Sequence, residues 1–551
     1  MEFQRLILIV AIAFASLMLW NAWEKDYGTK PFQAAAQIQT KAGTQQANIQ
    51  SENQNQTTTT APSSSIKTPS KPVSGNQILK VSTDVLNINI DLRGGNIVGV
   101  TLPKYPKEQD APSVPFTLLS DVPENYYIAQ STLSIKDGKE MSDAELIYQP
   151  SAASYSLPTG ENDLQVKLIS KLSGLMVTKI YTFKRDSYLI ALDYKIENPT
   201  NNNYEARLYT QLTRKKLPES GGFMGIHPYV GAAISTPTKR YDEVSYGQMQ
   251  KQDINLNAQG GWAAMVQHYF LSAWVPPAQQ NNYFYSKVND DLYTIGFAGP
   301  NIPISAKGSA TTSAKLYTGP EITDVLSKIA PGLDLTISYG WLWPISVALF
   351  WVLKLIYEVV GNWGWAIVII TILIKLAFYH LSAKSYFSMA KMRKLQPRIE
   401  ALRERHTDDK QKFSQAMMEL YKKEKVNPLG GCLPILVQIP VFFALYMVLI
   451  ESVELRHAPW ILWIRDLSQA DPYFILPILM GLTMFIQQRL SPPPPDPTQA
   501  KVMMFLPAIF TVLFIYFPAG LVLYWVVNNA LSVLQQWYVT YRFELAQSGA
   551  K

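Results

Sequence analysis

Six apolar runs crowd the last 210 or so residues, at 341–360, 363–381, 433–450, 473–488, 503–518 and 520–540, and they constrain the fold more than any other feature. Hydrocarbon offers no water to satisfy a backbone, so runs of this kind cross a membrane as helices. Several lie near the short end of the usual ~17–25 residues. The last two are parted only by Phe517-Pro518-Ala519-Gly520, a sharp break. A further apolar stretch, LILIVAIAFASLMLWNAW (6–23), opens the chain. Arg5 and the small residues around Ala13–Ser16 would suit a signal peptide. Trp20 and Trp23 instead close the run as interface residues close an anchor, so a transmembrane anchor over 1–24 is expected.

Charge fixes how many runs cross. Between 383 and 429 stand twelve Lys and Arg against six Asp and Glu, most of the chain's net +7. The positive-inside rule places this stretch in the cytoplasm. With the N-terminus also inside, only one of the runs 341–360 and 363–381 crosses. The first carries Trp341, Trp343, Trp351 and Tyr357, with Lys354 and Glu358 one turn apart. It reads as an amphipathic helix over 339–360 lying in the interface. The expected spans are then the anchor plus about 361–382, 430–451, 472–489, 503–517 and 520–541, six in all, with a short cytoplasmic tail at 542–551.

Two segments separate the anchor from the bundle. Residues 25–76 are rich in Gln, Thr, Ser and Asn and read as a disordered polar linker. From 77 to 338 the pattern turns to period 2. VLNINIDL (85–92) alternates before Arg93-Gly94-Gly95, and KIYTFKRDSYLIALDYKIENPTNNN (179–203) gives two strands around KRDS. YFLSAWV (269–275) and DLYTIGF (291–297) add more, so an all-β sandwich is expected. Asp91, Asp186, Glu197 and Asp290 read as solvated strand-face and turn acids. No catalytic constellation, metal-ligand cluster or cofactor motif stands out. The one cysteine, Cys432, allows no intramolecular disulfide.

Lys375 lies inside the run 363–381, where a lone charge costs about 2.5–3.5 kcal/mol. It is about 12 residues in, roughly 18 Å at 1.5 Å per residue, in the cytoplasmic half. Thr371, Lys375 and Tyr379 repeat every fourth residue and share a helical face. Gln438 lies between Pro434 and Pro440, Thr483 and Gln487 are four apart, and Tyr524, Asn528 and Ser532 repeat the spacing in the last run. Polar stripes on several spans point to a shared water-accessible cavity, with Lys375 snorkelling to headgroups, or Gln438 and Asn528 acting as interhelical glue, as the alternatives. No second ionisable residue lies deep in another run, which counts against an ion-coupled transporter. The basic stretch carries a heptad-like seam at Met392, Leu395, Ile399 and Leu402, then Phe413, Met417 and Leu420. A helical hairpin over 384–427 is expected, with Thr407 or Asp408 capping its second helix. It is either a basic arm for ribosomal RNA or a nascent chain, or a charged loop that only sets topology.

These residues resemble the YidC/Oxa family of membrane protein insertases, in the Gram-negative type with a large periplasmic domain. The carrying stretches are NWGWAIVIITILIK (362–375), MAKMRKLQP (389–397), VNPLGGCLPILVQIPVFFALY (426–446), PWILWIRDLSQADPYFILPILMG (459–481) and FPAGLVLYWVVNNALSVLQQW (517–537). The resemblance implies a five-helix insertase core plus the N-terminal anchor, with a periplasmic all-β supersandwich. It implies a non-enzymatic insertase and chaperone of the inner membrane, acting alone and beside the Sec translocon and its accessory subunits, with no cofactor. Implied partners are nascent inner-membrane proteins, the ribosome and lipids, without specific nucleic acid recognition. The implied client groove holds Lys375, Thr371, Tyr379, Gln438, Tyr524, Trp525 and Asn528. The implied greasy slide holds Leu436, Phe442, Phe505 and Phe510, and the contact hairpin Lys391, Arg393, Lys394, Arg398 and Arg403. Lys375 departs from the family's groove arginine, keeping the charge without the bidentate fork, and His380 stands where the family commonly has a proline. A polytopic transporter and an anchored carbohydrate-active protein are the competing readings.

Short spans carry one measurable expectation. Spin-label depth profiles of lipid around the reconstituted bundle should give a hydrocarbon thickness below the usual ~30 Å; a normal thickness would reject it.

Overall fold

The computed structural model describes residues 77–548 apart from 138, 218–227, 407–408, 425, 427–432 and 493–496. The expected anchor and linker, Cys432, and the proposed caps Thr407 and Asp408 lie outside the described residues.

Alternation builds the β domain. Strand Leu175–Lys184 buries every second side chain, and its neighbours Asp163–Leu172 and Leu189–Glu197 do nearly the same. One sheet runs, in order, Asp242–Val244, Gly231–Ser235, Trp262–Gln267, Phe270–Val275, Ser309–Pro320, Leu189–Glu197, Leu175–Lys184, Asp163–Leu172 and Gln149–Pro150. The other runs Asn255–Gln259, Asn281–Asn289, Leu292–Ala298, Tyr204–Lys215, Tyr127–Asp137, Asn96–Pro106, Asn87–Asp91, Ile78–Ser82 and Ser154–Ser156, with short strands branching from it. The sheets face each other. Trp274 Nε1 donates to Gln211 O across the gap (3.1 Å), and Tyr127 OH to Met265 O (3.3 Å).

Between the sheets sits a polar knot. Lys179 Nζ donates to Gly94 O (2.9 Å) and Ser131 O (3.1 Å), and burial pushes its ammonium down to about 7. Asp143 accepts from Tyr148 OH (2.7 Å), Tyr194 OH (3.2 Å) and Leu133 N (2.7 Å). The ammonium and the carboxylate thus both have hydrogen-bond partners, as a dry interior demands, while the Ser131 hydroxyl beside them has none. Of the acids expected in solvent, Glu197 pairs with Lys195 and Asp186 with Lys104 at the surface, and Asp290 takes a turn φ of +53°. Asp91 is the exception: it is 6% exposed and accepts from Arg93 N (2.9 Å), closing the turn the Gly pair announced.

Two short helices, α1 (Tyr246–Lys251) and α2 (Thr323–Ile329), lie on the β domain. Eight follow: α3 (Trp343–Val360), α4 (Trp363–Ala377), α5 (Tyr379–Arg405), α6 (Lys410–Lys423), α7 (Leu433–Glu451), α8 (Ile475–Leu490), α9 (Pro497–Phe514) and α10 (Ala519–Ser548). Trp341, just before α3, and Trp343, Trp351 and Val359 within it face outward, and the Ser346 hydroxyl donates to Ala444 O of α7 (3.1 Å). Lys354 pairs with Asp324 of α2. The i,i+4 pairing with Glu358 that its spacing offers gives way to this contact.

The run 363–381 is not one straight helix. Helix α4 ends at Ala377, and α5 leaves it at 68°. No Gly or Pro falls between 365 and 396, so the bend coincides instead with the change from apolar to basic sequence. Helices α5 and α6 pack through Leu395, Tyr421 and Val426, flanked by Met392, Ile399 and Met417. Asp409 caps α6, accepting from Gln411 N (3.1 Å) and Lys412 N (3.0 Å). The cap is thus one residue later than expected, where a carboxylate reaches the first orphan amides.

The β domain is joined to the bundle at the hairpin tip His268-Tyr269. Tyr269 takes a φ of +70°, and His268 Nε2 donates to Ile450 O in the last turn of α7 (2.8 Å). Arg456, just beyond α7, stacks on Phe116 and Phe270 (5.6 Å each) and donates to Lys107 O (3.0 Å). Burial, with Arg456 nearby, pushes His268 down from 6.5 to about 4. A histidine with a lowered folded value binds fewer protons folded than unfolded between pH 6.5 and 4. Its contribution is therefore fully present above pH 6.5 and is lost as pH falls toward 4. Burial raises Glu321 and Glu454, which work in the opposite sense. The difference between wild type and His268→Gln isolates the histidine. Hydrogen exchange at 450–456, corrected for intrinsic rates, should accelerate in the wild type relative to His268→Gln as pH drops from 6.5 toward 4. Parallel profiles would refute the assignment.

Candidate functional site

Helix α10 is the axis of the polar site. Its residues Tyr524, Asn528 and Ser532 fall on one face by the i,i+4 spacing, and all three are buried. Lys375 reaches across from α4 to donate to Ser532 Oγ (2.7 Å). The Ser532 hydroxyl in turn donates to Asn528 O (2.8 Å). From α7, Gln438 Nε2 donates to Tyr524 OH (3.2 Å). A cleft opens here, lined by Lys375, Phe378, Ser382, Gln438, Val441 and Asn528.

These contacts answer the charge problem in part. The ammonium has a hydroxyl partner and a cleft, so it is not sealed in hydrocarbon. It has no carboxylate partner among the described residues. An anionic or polar segment entering the cleft would meet an ammonium held by a single hydroxyl, plus amide and phenol groups.

The expected members separate into groups. Lys375, Gln438, Tyr524 and Asn528 converge. Thr371 is 1% exposed and turns its hydroxyl back on Ile367 O (2.6 Å), satisfied within its own helix. Tyr379 stands on α5 beyond the bend, so the continuous face with Thr371 and Lys375 is interrupted; its carbonyl accepts from Gln535 Nε2 (3.1 Å). Trp525 points to the aromatic side, edge-on to Phe442 (4.8 Å) and near Phe514 (5.4 Å). Ser382 lines the cleft, and Ser532 holds the ammonium beside it. Ser532 was visible in the stripe but not as the partner of Lys375, and Ser382 carries no signal of its own because the bend brings it in.

An apolar surface adjoins the cleft. Leu436 of α7 and Phe505 of α9 are 56% and 61% exposed. Phe442 and Phe510 lie half-buried beside Phe514, with centroids at 6.2 and 6.0 Å. On the hairpin, Arg393, Lys394, Arg398 and Arg403 are exposed and Lys391 is half-buried over Phe387 (4.9 Å). Lys394 lies over Phe543 (5.7 Å), and Arg398 pairs with Glu424 (2.7 Å).

Comparison with known proteins bears on both halves. The model of the 60Kd inner membrane protein family matches residues 355–547, and that of the YidC periplasmic domain matches 78–352. The chain is 50% identical over 549 residues to the membrane protein insertase YidC of Legionella pneumophila, covering 98% of each protein. It is 48% identical over 554 residues to that of Coxiella burnetii, covering 99% of this chain and 97% of the relative. Among solved structures, an active YidC insertase with its first transmembrane domain resolved aligns over 84% of this chain and 92% of its own, at 18% identity and a TM-score of 0.39.

The bond between Gln438 and Tyr524 is testable as a pair. In a double-mutant cycle of Gln438→Ala and Tyr524→Phe, unfolding in lipid should give a coupling of about 0.6 kcal/mol, and at most about 1.7. Additive single effects would show that the two side chains are not bonded.

Proposed function

The chain belongs to the YidC family of membrane protein insertases, with a β-rich periplasmic domain, and on that premise we propose that clients enter through the cleft between α4, α7 and α10. The carrying observation is the Lys375 ammonium, held by Ser532 (2.7 Å) at a cleft where Ser382, Gln438 and Asn528 stand among apolar side chains. A client's polar or acidic segment displaces Ser532 as its partner. The client's apolar helix then leaves along Leu436, Phe442, Phe505 and Phe510 into lipid. No bond is made or broken. The drive is apolar transfer, about 25 cal/mol per Å², and the membrane potential acts on client charges. The bases of the hairpin, Lys391, Arg393, Lys394, Arg398 and Arg403, meet the ribosome or the nascent chain. Cooperation with the Sec translocon belongs to the same reading.

The topology proposed is six spans, with the β domain in the periplasm and the hairpin and C-terminus in the cytoplasm of a Gram-negative inner membrane. Segment Gly340–Val360 is long and apolar enough to cross. Its ion pair supports an interfacial course instead. Lys354 is the twelfth residue of α3 and holds Asp324 of the β domain. A crossing helix would carry that residue roughly 18 Å away from the periplasmic face, at 1.5 Å per residue. The domain organisation proposed with it is anchor 1–24, linker 25–76, β domain 77–338, interfacial helix 339–360, core 361–541 with hairpin 384–427, and tail 542–551.

Two measurements test this. Photocrosslinkers at Lys375, Gln438 and Phe510 should capture a stalled nascent membrane protein, the first two through polar segments and the third through its apolar helix. Capture from none of them would reject the groove. Lys375→Arg should insert clients as wild type does, while Lys375→Ala should slow those with acidic translocated segments by several-fold. Equal rates for the alanine variant across such clients would remove Lys375 from client recognition.

A further inference from the structure

The segment joining α7 to α8 doubles back at Trp460-Ile461-Leu462-Trp463-Ile464. Hydrogen bonds from Trp460 N to Ile464 O (2.9 Å) and from Ile464 N to Ile461 O (3.1 Å) close the turn. All five side chains are apolar in bulk, yet only three turn inward. Ile464 is buried. Trp460 lies against Gly364 of α4, where an added Cβ would strike the indole. Trp463 donates to buried Asp471 (3.0 Å), the carboxylate that also accepts from Tyr473 N (3.0 Å) and Leu476 N (2.7 Å) at the start of α8.

Ile461 and Leu462 face outward, and Leu462 is 81% exposed. Its φ is +53°, a left-handed conformation that non-glycine residues seldom adopt. The turn is tied to the first turn of α4 by one residue. Asn362 donates through Nδ2 to Pro459 O (3.1 Å) and Trp460 O (3.4 Å), while its Oδ1 accepts from Trp365 N (3.1 Å). The fold thus holds a leucine in an unfavourable backbone state and leaves its side chain uncovered.

We propose that Ile461 and Leu462 form an apolar tip that dips into the headgroup–acyl boundary of the periplasmic leaflet. The proposal rests on α4 and α8 being spans. Continuity of surface identifies lipid as the occupant. Trp365 of α4 is 43% exposed and edge-on to Trp460 (5.7 Å), so the tip runs into the outward face of α4, where Ile372 and Leu373 are also exposed. On the other flank stand Tyr473 and Phe474, 65% and 45% exposed, at the start of α8. Aromatic residues flanking an apolar tip at the ends of two spans match the interfacial belt. The adjoining cation, Arg465, is turned to Asp110 of the β domain (3.4 Å).

The test uses the full chain carrying Cys432→Ser, with an environment-sensitive nitrobenzoxadiazole label on Leu462→Cys, Ile461→Cys, Ile372→Cys or Asn201→Cys. The protein is reconstituted in phosphatidylethanolamine–phosphatidylglycerol vesicles. Labels at 461 and 462 should emit blue-shifted relative to the exposed turn at 201, with several-fold weaker iodide quenching. Lipids brominated near the glycerol should quench them most, and lipids brominated deeper should quench the label at 372. Lipid quenching at 372 with full iodide quenching at both 461 and 462 would overturn the tip alone. Loss of lipid quenching at 372 as well would overturn the placement of α4 and the tip with it.

Discussion

The hydrogen bond from Lys375 Nζ to Ser532 Oγ joins α4 to α10 at 2.7 Å, and the rest of the bundle is arranged around what that bond requires. An ammonium in a membrane span needs a donor-accepting surface, so α10 must present oxygen on that side. Its buried Tyr524, Asn528 and Ser532 do so. Gln438 then uses the same helix, through Tyr524 OH. On another side of α10, Asn529 donates to Thr483 Oγ1 of α8 (3.4 Å). Three neighbouring helices therefore hang polar contacts on one axis, each of the modest strength usual between helices in a membrane.

The periplasmic junction works on the opposite principle. His268, Tyr269 and Arg456 are half-buried together, and the guanidinium lies over the rings of Phe116 and Phe270. Histidine held neutral at ordinary pH acts there as a fixed donor to the end of α7 rather than as a sensor. The contact gives the β domain a grip on the same helix that carries Gln438.

Legibility in the sequence followed periodicity. Strands such as Leu175–Lys184 show their pleat directly, and the apolar runs locate the helices, though α9 begins at Pro497 ahead of the run at 503 and α10 continues to Ser548 past the run's end at 540. The hairpin Trp262–Val275 was visible only as apolar runs because both its faces are buried. What escaped was determined at a distance. Asp91 is buried at the end of its strand, close to Asp121 and Glu145; Tyr421 and Val426 complete the α5–α6 contact from outside the heptad seam; Thr371 prefers its own backbone. The bend at Phe378 has no local breaker to announce it, and it is what removes Tyr379 from the face of Lys375. Ser532 had the right spacing, but spacing does not say which stripe meets which.

Helices α4 and α8 have 15 and 16 residues, which makes them about 22 and 24 Å long at 1.5 Å per residue. A bilayer matched to them is a thinner capacitor than one of ~30 Å. The work done on a crossing charge is unchanged, about 2.3 kcal/mol per 100 mV. In a bilayer thinned to match, it would be delivered over fewer ångströms, and the force on each crossing charge would rise in proportion. The brevity of two helices would then become, in electrical terms, a local steepening of the field.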